Sequence, residues 1–159
     1  MRATPTGQGR RPAATVVETT AMAALLLLLL FGLFEYGRFV MTRQLMENAA
    51  REGARYAVVH TYDKTTADVQ DRAFAALSGQ QTQLPGFSKT ANISVYRANA
   101  SGNPDGTDSN WKNARFGEPI AVRITGNYRP LLPSFLLIAV NPSGVIPLQV
   151  TSVMYSEAN

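Results

Sequence analysis

Chemically reactive side chains are scarce in this sequence. It contains no cysteine and a single histidine, His60. Without cysteine, the chain has no disulfide, no thiolate metal site and no cysteine nucleophile. One imidazole leaves a zinc site short of ligands, and a Ser-His-Asp triad would depend on His60 without any nucleophile-elbow motif. A glycine-rich phosphate loop is also missing. We therefore predict that the protein is not an enzyme and holds no metal or cofactor.

Charge is sparse too, and it is unevenly placed. The chain has 15 lysine and arginine residues against 11 aspartate and glutamate residues, a formal net charge of +4. Basic residues interleaved with aromatic ones are absent, so we predict no nucleic-acid partner. Arginines instead flank the most apolar run, as they do at membrane boundaries. Those before the run are Arg2, Arg10 and Arg11, and those after it are Arg38, Arg43, Arg51 and Arg55.

The apolar run is long enough to cross a membrane only if it includes an acid. Residues 19–34 carry no charge, but as a helix they would span about 24 Å, less than a hydrocarbon core of about 30 Å. Extending the helix back to Ala13 gives about 33 Å and places Glu18 inside. A buried core helix does not fit, because the leucines at 25–30 cover every face. A secretory signal peptide would need a small-residue cleavage site after the run, and none follows.

These observations predict a single-pass membrane protein with three segments. Residues 1–13 form a cytoplasmic leader or tail, residues 14–37 the transmembrane helix, and residues 38–159 a domain outside the cytoplasm. The arginines of the first segment favour this orientation. Within lipid, the carboxylate of Glu18 needs a cation or a hydrogen-bond donor, or it must snorkel towards the interface.

The helical pattern continues beyond the membrane to Val59. No proline interrupts it, and apolar or small residues recur at helical spacing, namely Phe39, Met46, Ala50, Gly53 and Ala57. A ridge of small residues, Ala49, Gly53 and Ala57, permits close approach of another backbone. That backbone belongs either to the protein's own sheet or second helix, or to a neighbouring subunit.

The remaining residues predict a small α+β domain. A second helix is expected within residues 65–79, with Thr65 or Thr66 as its N-cap and Gly79 as its stop. Residues 80–90 are expected to be a linker. Alternating or apolar patterns at residues 91–98, 119–128 and 145–158 predict strands. Three or four antiparallel strands packed on the helices would be sufficient for a stable domain.

Two connecting segments leave alternatives open. Residues 99–118 are rich in Gly, Asn, Asp and Ser and predict one long exposed loop. Asp105 and Asp108 lack the spacing of a calcium loop, which favours a polar turn, while Trp111 either contacts a partner or folds back on the sheet. Residues 129–144 are apolar but too short to span a bilayer. They form either a buried connection or a patch that touches the membrane or a partner.

Residues 16–59 resemble the N-terminal region of TadE-like proteins, which are pilin-like (pseudopilin) components of the tight-adherence (Flp) pilus and secretion machinery. The resemblance depends on "FGLFEYGR" at residues 31–38 and "NAAREGARYA" at residues 48–57. The signature positions are Glu35, Gly37, Arg38, Asn48, Ala49, Ala50, Arg51, Glu52, Gly53, Ala54, Arg55 and Tyr56. The resemblance implies a pilin-like domain anchored in the bacterial inner membrane.

The resemblance also implies partners and a processing site. The expected partners are other pilin-like subunits, inner-membrane pilus assembly proteins and membrane lipid. Some family members are cut by a prepilin peptidase four residues before the acid of the apolar segment, which here places the cut between Ala13 and Ala14. The freed amine of a neighbouring subunit would then pair with Glu18. The family commonly has glycine before the cut, whereas this chain has Pro12 and Ala13, so an uncut anchor is the alternative.

A role of a different class is also compatible with the sequence. The chain could be a stand-alone single-pass membrane protein whose outer domain binds a ligand or a partner.

Overall fold

The computed structural model describes residues 11–77, 79–106, 109–131 and 144–157. Over this part of the chain it contains three helices, α1 (Arg11–Val59), α2 (Thr66–Ala76) and the short α3 (Lys89–Asn92). Three strands, β1 (Ile93–Arg97), β2 (Pro119–Tyr128) and β3 (Ile146–Tyr155), form one antiparallel sheet in the order β1-β2-β3. The predicted α+β class, with a long N-terminal helix, a further helix and an antiparallel sheet, is confirmed.

Helix α1 is one unbroken helix of 49 residues. At about 1.5 Å per residue it is about 74 Å long. Its predicted end at Val59 agrees with the structure, and its first turn begins at Arg11, three residues before the predicted transmembrane segment. Pro12 is compatible with this start, because a proline in the first turn lacks only an N–H that has no intrahelical partner.

Helix α2 begins with a capping box. The Thr65 hydroxyl accepts a hydrogen bond from the Asp68 backbone N–H, and the Asp68 carboxylate accepts one from the Thr65 N–H at 2.8 Å. The backbone and hydroxyl hydrogen bonds from Thr65 lower the pKa of Asp68. Thr65 is therefore the N-cap of the two residues considered, and Gly79 adopts a φ of 80° shortly after the helix ends.

The sheet packs one face against α1 and α2. On β2 the residues that face the helices are Ile120, Val122 and Ile124, all fully buried, which agrees with the predicted alternation. Ala121, which the same alternation places on the opposite face, is also fully buried. The reason is that residues 99–106 fold over that face, where the Tyr96 hydroxyl donates a hydrogen bond to the Gly102 carbonyl at 3.1 Å.

The segments between the elements have more structure than their composition indicates. The linker expected at residues 80–90 contains a 3-10 turn (Gln80–Gln83) and the first residues of α3, and its Leu84 is buried. In the long loop, Trp111 is 2% exposed and its indole N–H donates a hydrogen bond to the Thr66 hydroxyl at 2.9 Å. Trp111 therefore folds back on the domain. Most of the apolar connection expected at residues 129–144 lies outside the described residues.

Candidate functional site: the helix that joins anchor and domain

The two ends of α1 have opposite environments. Every residue from 14 to 34, here called the anchor half, is exposed, including the whole leucine run. This is the one helix among the described residues that is long and apolar enough to cross a membrane. From residue 35 to residue 59, here called the domain half, a continuous stripe is buried. Its buried members are Thr42, Met46, Ala49, Ala50, Gly53, Ala54, Ala57 and Val58.

The small-residue ridge lies inside the protein's own core. A Cβ placed on Gly53 would lie 3.0 Å from the Ala73 Cβ of α2 and 3.3 Å from the Val122 Cγ1 of β2. Such distances leave no room for a side chain at this position. Ala49 and Ala57, one turn to either side, are fully buried. Of the two alternatives for the ridge, the structure shows contact with the protein's own sheet and second helix.

The charged residues of the signature segment 48–57 lie at the surface of this core, whereas the part-buried Tyr56 ring packs against it. Glu52 accepts hydrogen bonds from the Arg72 guanidinium at 2.5 and 2.9 Å and so connects α1 to α2. Arg51 lies 3.8 Å from the carboxylate of Glu47. The remaining members include Arg55, which is exposed, Asn48, whose side chain accepts a hydrogen bond from Arg51, and Tyr56, whose ring stacks on His60.

Glu35 marks the point where the anchor half meets the domain half. The Tyr128 hydroxyl at the end of β2 donates a hydrogen bond to Glu35 Oε1 at 2.5 Å, and the Leu131 backbone N–H donates to Oε2 at 3.2 Å. The Arg38 guanidinium lies 3.3 Å from the same carboxylate. The Glu35 side chain is only 13% exposed. Hydrogen bonds to a carboxylate are among the stronger ones in proteins, so this cluster fixes the direction in which the helix leaves the domain.

Aromatic contacts reinforce the same junction. The Phe39 ring meets the Tyr128 ring edge-on, with centroids 5.5 Å apart, and the Arg38 guanidinium lies 5.8 Å from the Tyr128 centroid. Burial raises the pKa of Tyr128 to about 12, and the hydrogen bond to Glu35 and its negative charge act in the same direction. Tyr128 is therefore a neutral donor at ordinary pH. Sequence reasoning identified Glu35 and Arg38 as signature positions but gave no signal for Tyr128, which is 93 residues away.

Glu18 has no such partner within the described residues. It is exposed on the anchor half, and no hydrogen bond or ion pair with another described residue reaches its carboxylate. The neighbouring hydroxyls of Thr19 and Thr20 bond to the carbonyls of Thr15 and Val16 within the helix. Ala14 is exposed, and the bond between Ala13 and Ala14 lies in the first turns of α1.

The residues considered for chemistry have structural contacts. His60 Nδ1 lies 2.9 Å from the Tyr56 carbonyl, just beyond the end of α1. Asp105 pairs with Arg97 at 2.8 Å, and Asp108 is outside the described residues. Across the described residues, no group of three or more acidic or histidine side chains is placed to hold a metal ion.

Fold and site together define a membrane-anchored protein, in which one exposed apolar helix carries a small α+β domain. Residues 13–55 match the model of the family described as TadE-like protein. The match covers about a quarter of the chain, and it confirms the resemblance predicted from the two signature segments. It indicates a membrane protein associated with the Tad pilus. Neither the curated proteins nor the solved structures gave a match to this chain.

Proposed function

We propose that this protein is a minor pilin or pseudopilin that contributes to assembly of a tight-adherence (Flp-type) pilus or secretion apparatus. The observation that carries the proposal is the exposed anchor half, which contains an acid, Glu18, without a partner among the described residues, and which continues without a break into the domain. The TadE-like match over residues 13–55 spans this same transition. The apolar surface serves two uses in turn, first contact with inner-membrane lipid and then contact with neighbouring pilin-like subunits.

Glu18 is the residue proposed to mediate subunit contact. A carboxylate surrounded by lipid is costly unless a cation or donor reaches it. If the peptidase cuts after Ala13, the new amine at Ala14 is about 6 Å along the helix axis from Glu18. A neighbouring subunit displaced by about that distance would bring its amine to this carboxylate. The N-terminus lies inside the cell before the cut, and the domain lies outside the cytoplasm.

We also propose that the protein has no catalytic role. His60, the only histidine, is part-buried beside Tyr56 and bonds to its backbone carbonyl. That arrangement is typical of a residue that completes a helix end. The proposed partners are therefore protein subunits, the assembly machinery and lipid.

The substitution Glu18→Leu tests the proposed function. We expect unchanged membrane insertion, because leucine is compatible with an apolar helix, and loss of most surface pili in a strain that carries the pilus genes. Thr20→Leu is the matched control, because its hydroxyl bonds only within its own helix, and it should assemble pili normally. Normal piliation with Glu18→Leu would contradict the proposal and favour the stand-alone membrane protein.

The processing step has its own measurement. Intact mass of the protein purified from membranes should show loss of residues 1–13. A full-length mass would exclude the cut between Ala13 and Ala14 but would leave the anchor and its exposed surface in place.

A further inference from the structure

The two edges of the sheet differ in how their backbone groups are used. In an antiparallel ladder, alternate residues of an edge strand direct their N–H and C=O groups away from the sheet. On β1 these outward residues are Ile93, Val95 and Arg97, as the bond from the Ala98 N–H to the Pro119 carbonyl shows. The Ile93 carbonyl accepts a bond from Gln70 at 2.7 Å, and Arg97 bonds to Ser109 and Asp105. The edge of β1 is therefore closed at both ends.

The edge of β3 is open. The hydrogen bond from the Ser156 N–H to the Glu118 carbonyl fixes the pattern of the ladder. In this pattern the backbone N–H and C=O groups of the even-numbered residues of β3 point towards β2. The outward residues with an N–H are Gln149, Thr151, Val153 and Tyr155, here called the open edge. Within the described residues, no hydrogen bond to the backbone groups of the open edge is present. Pro147, the next outward residue, has no N–H to offer and marks one end of it.

A cleft runs beside the open edge, between β3 and α1. One part, of about 360 Å³, lies between residues 149–152 and the helix, and a second, of about 530 Å³, lies between residues 153–157 and the helix. On the helix side, a charged ridge is formed by Arg43, Glu47, Arg51 and Arg55, and the two valines at 58–59 line the cleft beyond it. Three guanidinium groups against one carboxylate make this ridge basic, and Glu157 lies at its far end.

A second copy of this chain is a poor occupant for the cleft. Strand β3 runs in the same direction as α1, since rising residue numbers of both line the cleft together. Antiparallel pairing of two β3 edges would turn one anchor away from the membrane. In any other pairing, the strand added to the open edge would be β1 or β3 of the second copy. Neither strand contains an acidic residue that could pair with the arginines of the charged ridge.

We infer that the open edge of β3 binds an extended segment of a different protein, which carries carboxylates on the side facing the charged ridge of α1. The segment adds a fourth strand to the sheet. Main-chain hydrogen bonds to the open edge supply affinity, and the arginines select acidic side chains at alternate positions. This inference does not depend on the pilus assignment, because it requires only the edge and the ridge.

The test uses the full-length chain in nanodiscs and a peptide of alternating glutamate and valine, as long as β3. Binding is measured by fluorescence anisotropy, and a peptide of alternating lysine and valine is the charge control. We expect the acidic peptide to bind at least about tenfold more tightly than the basic one. Hydrogen exchange should show new protection at the open-edge amides, while amides of the even-numbered residues of β3 are protected with or without peptide.

Edge variants separate strand addition from simple charge attraction. Thr151→Pro removes a backbone N–H that makes no hydrogen bond to β2, and it should weaken binding of the acidic peptide about fivefold to tenfold. Val95→Pro makes the same change on the edge of β1 and should leave binding unchanged. N-methylation of the peptide on the strand-facing side should have the effect of Thr151→Pro without any change to the protein.

Three results would overturn the inference. The first is equal binding of the acidic and basic peptides, or of N-methylated and unmodified peptide. The second is absence of new protection at the open-edge amides. The third is self-association of the chain in nanodiscs that Thr151→Pro abolishes, which would assign the edge to a second copy. If Thr151→Pro shifts the thermal unfolding of the domain, Gln149→Pro replaces it, because Gln149 makes no hydrogen bond with other described side chains.

Discussion

Residues 14–34 and residues 35–59 belong to one unbroken helix, yet they are built for different surroundings. The anchor half is apolar on every face and exposed throughout, whereas the domain half is apolar on one stripe, which is buried. A helix that is hydrophobic all round suits lipid, and one with a single stripe suits the surface of a core. One continuous helix is therefore suited to lipid over the anchor half and to the protein core over the domain half, and the change between the two occurs at Glu35.

Small residues show the same contrast. Gly53 in the domain half is surrounded at close range by α2 and β2, while no atom of the described residues lies within 4 Å of a Cβ placed on Gly32 or Gly37. Acids differ as well. Glu35 accepts bonds from Tyr128, Leu131 and Arg38, whereas no described residue reaches Glu18. The domain half packs against other elements of this chain, whereas the exposed anchor half has no such packing within the described residues.

The largest effect is expected for a charge placed in the buried stripe. Ala50→Asp introduces a carboxylate at a site that is 0% exposed, and it should lower the free energy of unfolding of the domain by about 3 kcal/mol or more. Urea unfolding of the protein in detergent, followed by the fluorescence of its only tryptophan, Trp111, measures this loss. Leu28→Asp is the matched change in the anchor half. It should leave the Trp111 transition unchanged while disfavouring membrane insertion by about 3 kcal/mol. Equal effects of both substitutions on unfolding would contradict the division of the helix.

A smaller effect is expected from filling the close contact at Gly53. Gly53→Leu must displace the Ala73 and Val122 side chains, and it should destabilise the domain by about 2 kcal/mol. Gly37→Leu places the same side chain where no atom is near, and it should be neutral or slightly stabilising through helix propensity. Thermal unfolding of the two variants compares them directly. Unchanged thermal unfolding of Gly53→Leu would contradict the close packing of α1 against α2 and β2.

The smallest effect concerns pH. The pKa of Tyr128 is raised to about 12 from 10.0, so an unfolded chain loses this proton at lower pH than the folded one. The contribution of this raised pKa to the free energy of unfolding is fully present below pH 10 and is lost as pH rises towards 12. Tyr96 also has a raised pKa, chiefly through burial, and acts in the same direction. Tyr128→Phe should therefore make the stability of the domain fall less steeply over this range. An unchanged alkaline profile in Tyr128→Phe would contradict the raised pKa of this phenol.

Local patterns predicted the helices and strands well because their causes are local. The leucine run, the proline-free stripe to Val59, the Thr65 cap and the alternation on β2 each depend on residues within a few turns of one another. The linker and the long loop were less predictable, since Leu84 and Trp111 are held by contacts with distant elements. The sequence identified the signature positions, but it did not predict which of them lie in the core and which make polar contacts.

By itself, the sequence determined that one helix is apolar all round and then striped, that few groups could perform chemistry, and that an α+β domain follows. Only the tertiary structure decided that Glu35 is bonded to Tyr128, that the small-residue ridge packs on the protein's own sheet, and that, among the described residues, the edge of β3 rather than the ends of the β1 edge lacks hydrogen-bond partners. The physical reason is the separation along the chain between the residues that interact. Periodicity and capping act along a few turns of chain, whereas hydrogen bonds and close packing between distant residues depend on how the elements are placed in space.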